Sequence, residues 1–214
     1  MALAIDNSNS QAESSVSTST LSFTCTGSNL VLVVPVIADR AISGVTYNTV
    51  AMSRQQLGTG AGNYNLAIYT LVAPATGAHD IVVTIASSGS VAFGAISLTG
   101  ASGIGASTKN TQNTSPITTT ITLTGTNSYT IEGQGGKTAN TQGSSQTEWF
   151  DIAIGANPEH LSGAYKAQGA SGATDLIFST GDDAFGTGDV IVEVLAGTQQ
   201  GSTAKNLSLL GAGT

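Results

Sequence analysis

Apolar residues along this chain fall into short runs that Gly, Ser, Asn and Thr repeatedly interrupt. Residues 21–25 (Leu-Ser-Phe-Thr-Cys) alternate with period two, which is the spacing of a half-buried strand. Residues 30–38 form the longest apolar run, nine positions, and read as a strand buried on both faces. Pro35 inside it has no backbone donor, which predicts a sheet edge or a bulge. Residues 44–52 read as a hairpin. Residues 64–72 form a further strand, with Tyr64, Leu66, Ile68 and Thr70 on one face. Strands at 81–85 and 91–98 follow, with Ser87-Ser88-Gly89-Ser90 as the turn between them.

Residues 99–116 read as a long polar connection of the kind that carries a Greek-key chain between sheets. Residues 117–123 then alternate Ile or Leu with Thr, apart from Thr119. Strands are also expected at 128–132, 148–154, 161–167, 175–180 and 189–195. About twelve strands at this spacing, and no convincing helix, predict an all-β fold. The expected form is a two-sheet antiparallel β-sandwich of jelly-roll or Greek-key type, with less than about 10% helix. The domain is expected over 21–195, with a polar N-terminal arm or weak edge strand at 1–20 and a polar C-terminal tail at 196–214. Val31, Val33, Ile68, Ile81, Val83, Phe93 and Ile96 are the expected core.

Composition sharpens this. Charged residues make up 9% of the chain, against about 25% in an average soluble protein, so hydroxyls and amides must form the polar surface. Ser and Thr together are about a quarter of the residues, which suits strands better than helices. The net charge is −7, and the six basic residues, Arg40, Arg54, Lys109, Lys137, Lys166 and Lys205, are scattered. Nucleic-acid binding needs a basic stripe, so it is not expected, and neither is attraction to an anionic membrane. No stretch has the roughly 18 apolar residues of a membrane helix. The opening Met1-Ala2-Leu3-Ala4-Ile5-Asp6 lacks the basic start and apolar run of a secretory signal.

One stretch has a familiar pattern. It contains Asn29-Leu30-Val31-Leu32-Val33-Val34, then Ser43-Gly44-Val45-Thr46-Tyr47-Asn48, then Met52. Ile68-Tyr69-Thr70-Leu71-Val72-Ala73-Pro74-Ala75-Thr76-Gly77 and Ala95-Ile96-Ser97-Leu98-Thr99-Gly100 complete it. This resembles a β-sandwich module of tailed-phage virion proteins and of bacterial surface or secreted proteins. The second half resembles it more loosely, at Gln146-Thr147-Glu148-Trp149-Phe150 and Ser162-Gly163-Ala164-Tyr165-Lys166-Ala167. The resemblance implies a non-enzymatic virion structural protein, a capsid decoration or cement protein or a head or tail accessory protein. It would be assembled in the host cytoplasm on a major capsid or tail protein, as a homo-oligomer, with a trimer the form the resemblance implies. The alternative is a carbohydrate-binding or adhesive module at an extracellular surface, with Trp149, Tyr47, Tyr64 and Tyr69 as stacking rings for a glycan.

No catalytic, cofactor or metal residues are assigned. His79, beside Asp80, reads as an exposed turn residue, and His160 follows another turn at Asn157-Pro158-Glu159. Glu148 and Asp151 flank Trp149-Phe150, but residues three apart in a regular strand face opposite ways and cannot converge on one sugar. Asp182, Asp183 and Asp189 form an acidic loop that does not match the EF-hand spacing. Cys25 reads as a small buried hydrophobe, without the basic neighbour or helix start that makes a thiol reactive. Attachment is therefore the expected mode of action, with the polar N- and C-terminal segments helping to hold the chain on a larger assembly.

Overall fold

A computed structural model describes residues 2–60, 62, 64–154, 159–180 and 187–197. It is 76% strand and 1% helix, as the turn rhythm predicts. Every strand pairing among the described residues is antiparallel.

The strands form three sheets where sequence predicts two. Sheet one holds β1 (Ala4–Cys25), β2 (Val31–Ala38), β3 (Ile42–Tyr47), β4 (Val50–Ala51), β5 (Ser53–Thr59), β6 (Asn65–Val72) and β7 (Gly77–Thr99). Its order is β4-β3-β7-β2-β6-β5, with β1 also on β7. The other two sheets are built from β8 (Ala101–Gln112), β9 (Ile117–Leu123), β10 (Tyr129–Gly136), β11 (Asn140–Gln142), β12 (Thr147–Ala153), β13 (His160–Ala167), β14 (Gly172–Thr180) and β15 (Thr187–Ala196). Sheet two runs β12-β13-β10-β15-β8 and sheet three β11-β14-β9.

Sheet one folds over itself because β1 and β7 form one long bent ribbon. The first half of β7 pairs with β3, and its second half with β2. Ile81, Val83, Ile85, Val91, Phe93 and Ala95 share one face of β7, and all lie in a single apolar cluster. The expected turn at Ser87-Ser88-Gly89-Ser90 is instead the bend inside this one strand. The register to β1 slips between Glu13 and Val16 and again between Val16 and Thr18, and Ser15 there has φ 61°. Such bulges bend a ribbon without ending it. The fold brings the two ends of β1 together: Asp6 accepts bonds from the Thr26 hydroxyl and the Thr26 N–H, and Asn7 Nδ2 donates to the Thr24 carbonyl at 2.9 Å. Residues 4–20 are therefore an edge strand and not an arm. Ile5, Ala12 and Val16 reach the core from this segment, and Leu3 from just before it.

β2 has no solvent-facing side. Leu32, Val34 and Val36 enter the cluster inside folded sheet one, while Val31, Val33 and Ile37 enter a second cluster against sheet two. Pro35 does not sit at an edge, since β2 lies between β7 and β6. The ladder to β7 tolerates it: pairing is kept at Val33↔Ile96 and Val36↔Phe93, in one register, and skips Val34 and Pro35. The missing N–H falls in that gap.

Glycines let sheet two approach. A Cβ at Gly133 would overlap Pro35, and one at Gly94 or Gly163 would overlap the Trp149 and Phe150 rings. Sheet three then covers the far face of sheet two through Ile121, Leu123, Leu176 and Ile191. The expected polar connection at 99–116 is largely β8, an edge strand paired along β15. Its run of Gly, Ala, Ser and Thr is half-buried and shows no apolar alternation.

All seven expected core residues are fully buried. Val33→Asp buries an unpaired charge, so the variant is expected not to fold, read by loss of the strand signal in far-UV circular dichroism. Removing residues 1–20 strips one side of β7 of most of its β1 partner, and the truncated chain is expected to be protease-sensitive and aggregated. A cooperative melt at the full-length temperature would show that β1 is dispensable.

Candidate functional site

Most residues that sequence marks for chemistry serve packing. Tyr47 is fully buried, with its hydroxyl 3.1 Å from the Ala75 carbonyl and 3.2 Å from that of Gly77, so it is no stacking platform. Tyr69 is also buried, and Tyr64 is half-buried. Cys25 is buried as expected, and burial pushes its thiol up. His79 is not an exposed turn residue but a half-buried strand residue. Its ring stands edge-on to Tyr47 at 5.6 Å, and Nε2 lies 3.1 Å from the Thr76 carbonyl. Asp182, Asp183 and residues 198–214 of the expected tail lie outside the described residues.

The Glu148–Asp151 pair needs a correction. A bulge between Glu148 and Phe150 makes Trp149 an extra residue in β12. Glu148 then opposes Ala164 and Asp151 opposes Ser162, two apart on β13, so the two carboxylates share a face. Both are engaged. Asp151 accepts from the Asn140 N–H at 2.8 Å and meets His160 Nδ1 at 2.6 Å, and Gln142 Nε2 donates to Glu148 at 3.2 Å. His160 begins β13 and is thereby tied to Asp151. Trp149 turns the other way and packs on Phe150, ring centroids 4.4 Å apart.

The largest concentration of polar chemistry is the seam between sheets two and three. Thr130, Glu132 and Gln134 alternate along β10 with Tyr129, Ile131 and Gly133. A strand is expected over part of this segment, and sheet three covers its polar face, so that all three side chains are buried. Gln134 Nε2 donates to Glu132 at 2.8 Å, and Gln146 Nε2 reaches both Glu132 oxygens at 3.2 and 3.0 Å. Ser162 donates to Gln134 Oε1 at 3.0 Å and accepts from Asn140 Nδ2 at 2.8 Å. Asp189 opposes Gln134 from β15 and is fully buried, with the Thr119 hydroxyl and the Val190 N–H as the donors beside it. Burial pushes the carboxyls of Glu132 and Asp189 above the usual range, and at Glu132 the nearby Asp189 charge pushes further.

Glu193, four residues along β15, behaves oppositely. It is fully buried, yet it accepts from the Thr124, Gly125 and Ala106 N–H groups at 2.9, 2.9 and 3.0 Å and from the Thr124 hydroxyl at 2.8 Å. Burial opposes its charge, but these donors outweigh burial and hold the carboxyl below its ordinary value. Asp6 is lowered in the same way: burial opposes its charge, and bonds from Thr26 and Ser97 outweigh it.

A groove of about 610 Å³ opens at one end of sheet two, beside Ala2 and Leu3. Asn127, Ser128, Tyr129 and Gln168 line it, and no charged side chain does.

Fold and site thus define an antiparallel all-β protein whose second half is organised around a buried polar seam. Comparison with protein-family models, curated proteins and solved structures gives no match to this chain.

A lowered carboxylate pKa adds stability that is present above the ordinary carboxylate range and is lost as pH falls through it. Glu193→Gln places amide hydrogens against N–H donors, and is expected to cost about 1.5–3 kcal/mol at neutral pH. Urea unfolding at pH 7 and pH 3 should show the difference from wild type shrinking at the lower pH. An equal difference at both would deny Glu193 its ionised role.

Proposed function

We propose that this chain is a non-enzymatic structural component of a tailed-phage virion, a capsid decoration or head or tail accessory protein that acts by attachment. The observation that carries this reading is the edge formed by β1. Its 22 residues wall one flank of folded sheet one, and among the described residues its only strand partner is β7. An open edge offers main-chain donors and acceptors to a neighbouring strand. Only Asp6 and Glu13 are charged along it, so little electrostatic blunting stands in the way. The Ser8 and Ser10 N–H groups are covered by the Asn7 and Asn9 side chains, which an incoming strand can displace. The edge replaces the free arm in the attachment mechanism, and a homo-oligomer, a trimer in the resemblance, is one assembly it would support.

Lys at the exposed positions Ser8 and Thr18 is the test, since charge on an edge blocks strand pairing. The double variant should fold like wild type but sediment as a smaller species and be missing from purified particles by mass spectrometry. Unchanged sedimentation and incorporation would move attachment to the faces of the molecule.

A second reading, a carbohydrate-binding module, is favoured by the groove. Tyr129 offers a ring to a sugar face, and Asn127, Ser128 and Gln168 offer uncharged hydrogen-bonding groups. Tyr129→Ala should abolish binding to any neutral glycan the protein retains on an array.

A further inference from the structure

Sheet three closes over a face of sheet two that carries more acid than base. On β12, β10 and β15 that face presents Glu148, Asp151, Glu132, Asp189 and Glu193, and β13 adds His160 and Lys166. Three of the acids are answered. Asp151 meets His160, Glu148 accepts from Gln142, and Glu193 accepts from backbone N–H groups and the Thr124 hydroxyl.

Glu132 and Asp189 differ. The β10–β15 register sets Gln134 opposite Asp189 and Ile191 opposite Glu132, so the two acids are diagonal neighbours on adjacent strands, and both are fully buried. Asp189 thus belongs to β15 and not to the acidic loop that sequence marks. Glu132 accepts from the Gln134 and Gln146 amides, and Asp189 has the Thr119 hydroxyl and the Val190 N–H beside it. All of these donors are neutral. Sheet three adds no positive charge: it turns Thr119, Leu176, Asn140 and Gln142 to the seam, and its Asp175 bonds the exposed Thr120. β8 sets Asn110 opposite Asp189, while its Lys109 reaches the Leu57 carbonyl on the other side. Lys166 acts on Glu132 from its place opposite Thr130, but it is half-buried and among the described residues forms no ion pair with either acid. Two carboxylates charged together in a low-dielectric interior repel strongly. A proton on one of them removes that repulsion and much of the cost of burying charge.

We propose that the seam between sheets two and three is a pH-sensitive joint: the Glu132–Asp189 pair holds a proton while the joint is closed, and losing it above neutral pH loosens sheet three from sheet two. Burial, and at Glu132 the Asp189 charge as well, pushes both carboxyls up, Asp189 to about 7, and the neutral donors and Lys166 only partly oppose this. Once exposed, both return to the ordinary carboxylate range. The closed state therefore binds more protons than the open one from that range up to neutrality, so its stability falls as pH rises across the same interval. Glu193 and Asp6, whose carboxyls are lowered, lose their contribution only at lower pH, which puts the optimum in mild acid. Sheet three is the part to move. Its apolar hold on sheet two is the small cluster of Ile121, Leu123, Leu176 and Ile191, and lifting it brings water to both acids. The inference is independent of the virion reading.

The infrared band of an un-ionised carboxyl reads the proton directly, because ordinary carboxylates are charged at neutral pH and histidine does not contribute to it. Folded wild type should show that band at pH 7. The band should vanish on unfolding and in a variant carrying Glu132→Gln with Asp189→Asn. Between about pH 6 and pH 8.5, the hydrogen-exchange protection of β9 and β14, corrected for the intrinsic effect of pH, should fall about tenfold in wild type and hold constant in the double variant. His160→Gln, which removes the histidine of the same face, should still show the fall. At the higher pH, β9 and β14 should exchange faster than β2; one common rate would mean that the whole fold opens, and the joint would be refuted. Absence of the un-ionised carboxyl at pH 7, or equal protection at both pH values, overturns the proposal, and both are read from wild type even if the double variant does not fold.

Discussion

Everything in this fold depends on β2 being apolar on both faces. A strand with one wet face needs one covering layer, and this one needs two. The bent ribbon of β1 and β7 closes over one side and sheet two closes over the other. The ribbon must bend because the same β7 that pairs with β2 also has to carry β3 across to the opposite leaf. Sheet two must lie close because Val31, Val33 and Ile37 meet a neighbour whose nearest strand, β10, presents Gly133 and Gly135. A side chain at Gly133 would meet Pro35 and push the layers apart, so the proline that interrupts a ladder also sets the spacing between sheets.

The two halves of the chain answer burial in different ways. Folded sheet one is filled with Leu, Val, Ile, Phe and Tyr. The seam between sheets two and three has only a small apolar cluster and is otherwise filled with amides, hydroxyls and carboxylates. An apolar core gains from burial itself, and tolerates small shifts of register. A polar core gains only when every donor finds its acceptor, so it fixes alignment strictly while adding less net stability. Glu193 shows that solution completed, with four donors around one carboxylate. Asp189, two alternations away on the same strand face, shows it incomplete: Thr119 and the Val190 N–H do not offset its burial.

Sequence exposes the first half better than the second because the first half obeys simple burial. The nine-residue apolar run announces β2, the alternation of Ile or Leu with Thr announces β9, and all seven expected core side chains are buried. The errors have local causes. Ser87–Ser90 carries turn residues, but the bulged partner strand lets them stay extended. β8 has no apolar stripe, and its pairing with β15 is visible only once the sheet exists. The bulge at Trp149 reverses the parity of Glu148 and Asp151, which no periodicity can show. The polar seam fails to register because Thr130, Glu132 and Gln134 look like a solvated face. β10 and β15 each carry such a face and sheet three covers both, while the polar face of β9 does point to solvent.

The covering of these faces also constrains how the protein can meet a partner. The inner leaf of sheet one and most of both faces of sheet two are used inside the molecule, so apart from the groove end at Tyr129 few of their side chains are left for an external contact. What remains is the outer face of the β3 leaf, the outer face of sheet three, and the edges. The outer faces carry mainly hydroxyls, which water satisfies well and which give a partner little reason to displace it. Main-chain groups along an unpaired edge differ, since a strand added there satisfies a row of donors and acceptors together. β1 is the longest edge, and it is anchored at both ends by Asp6 and Thr26. An edge pinned at its ends is already in the extended shape that pairing requires, so a partner strand would have less ordering cost to meet there than on a free arm.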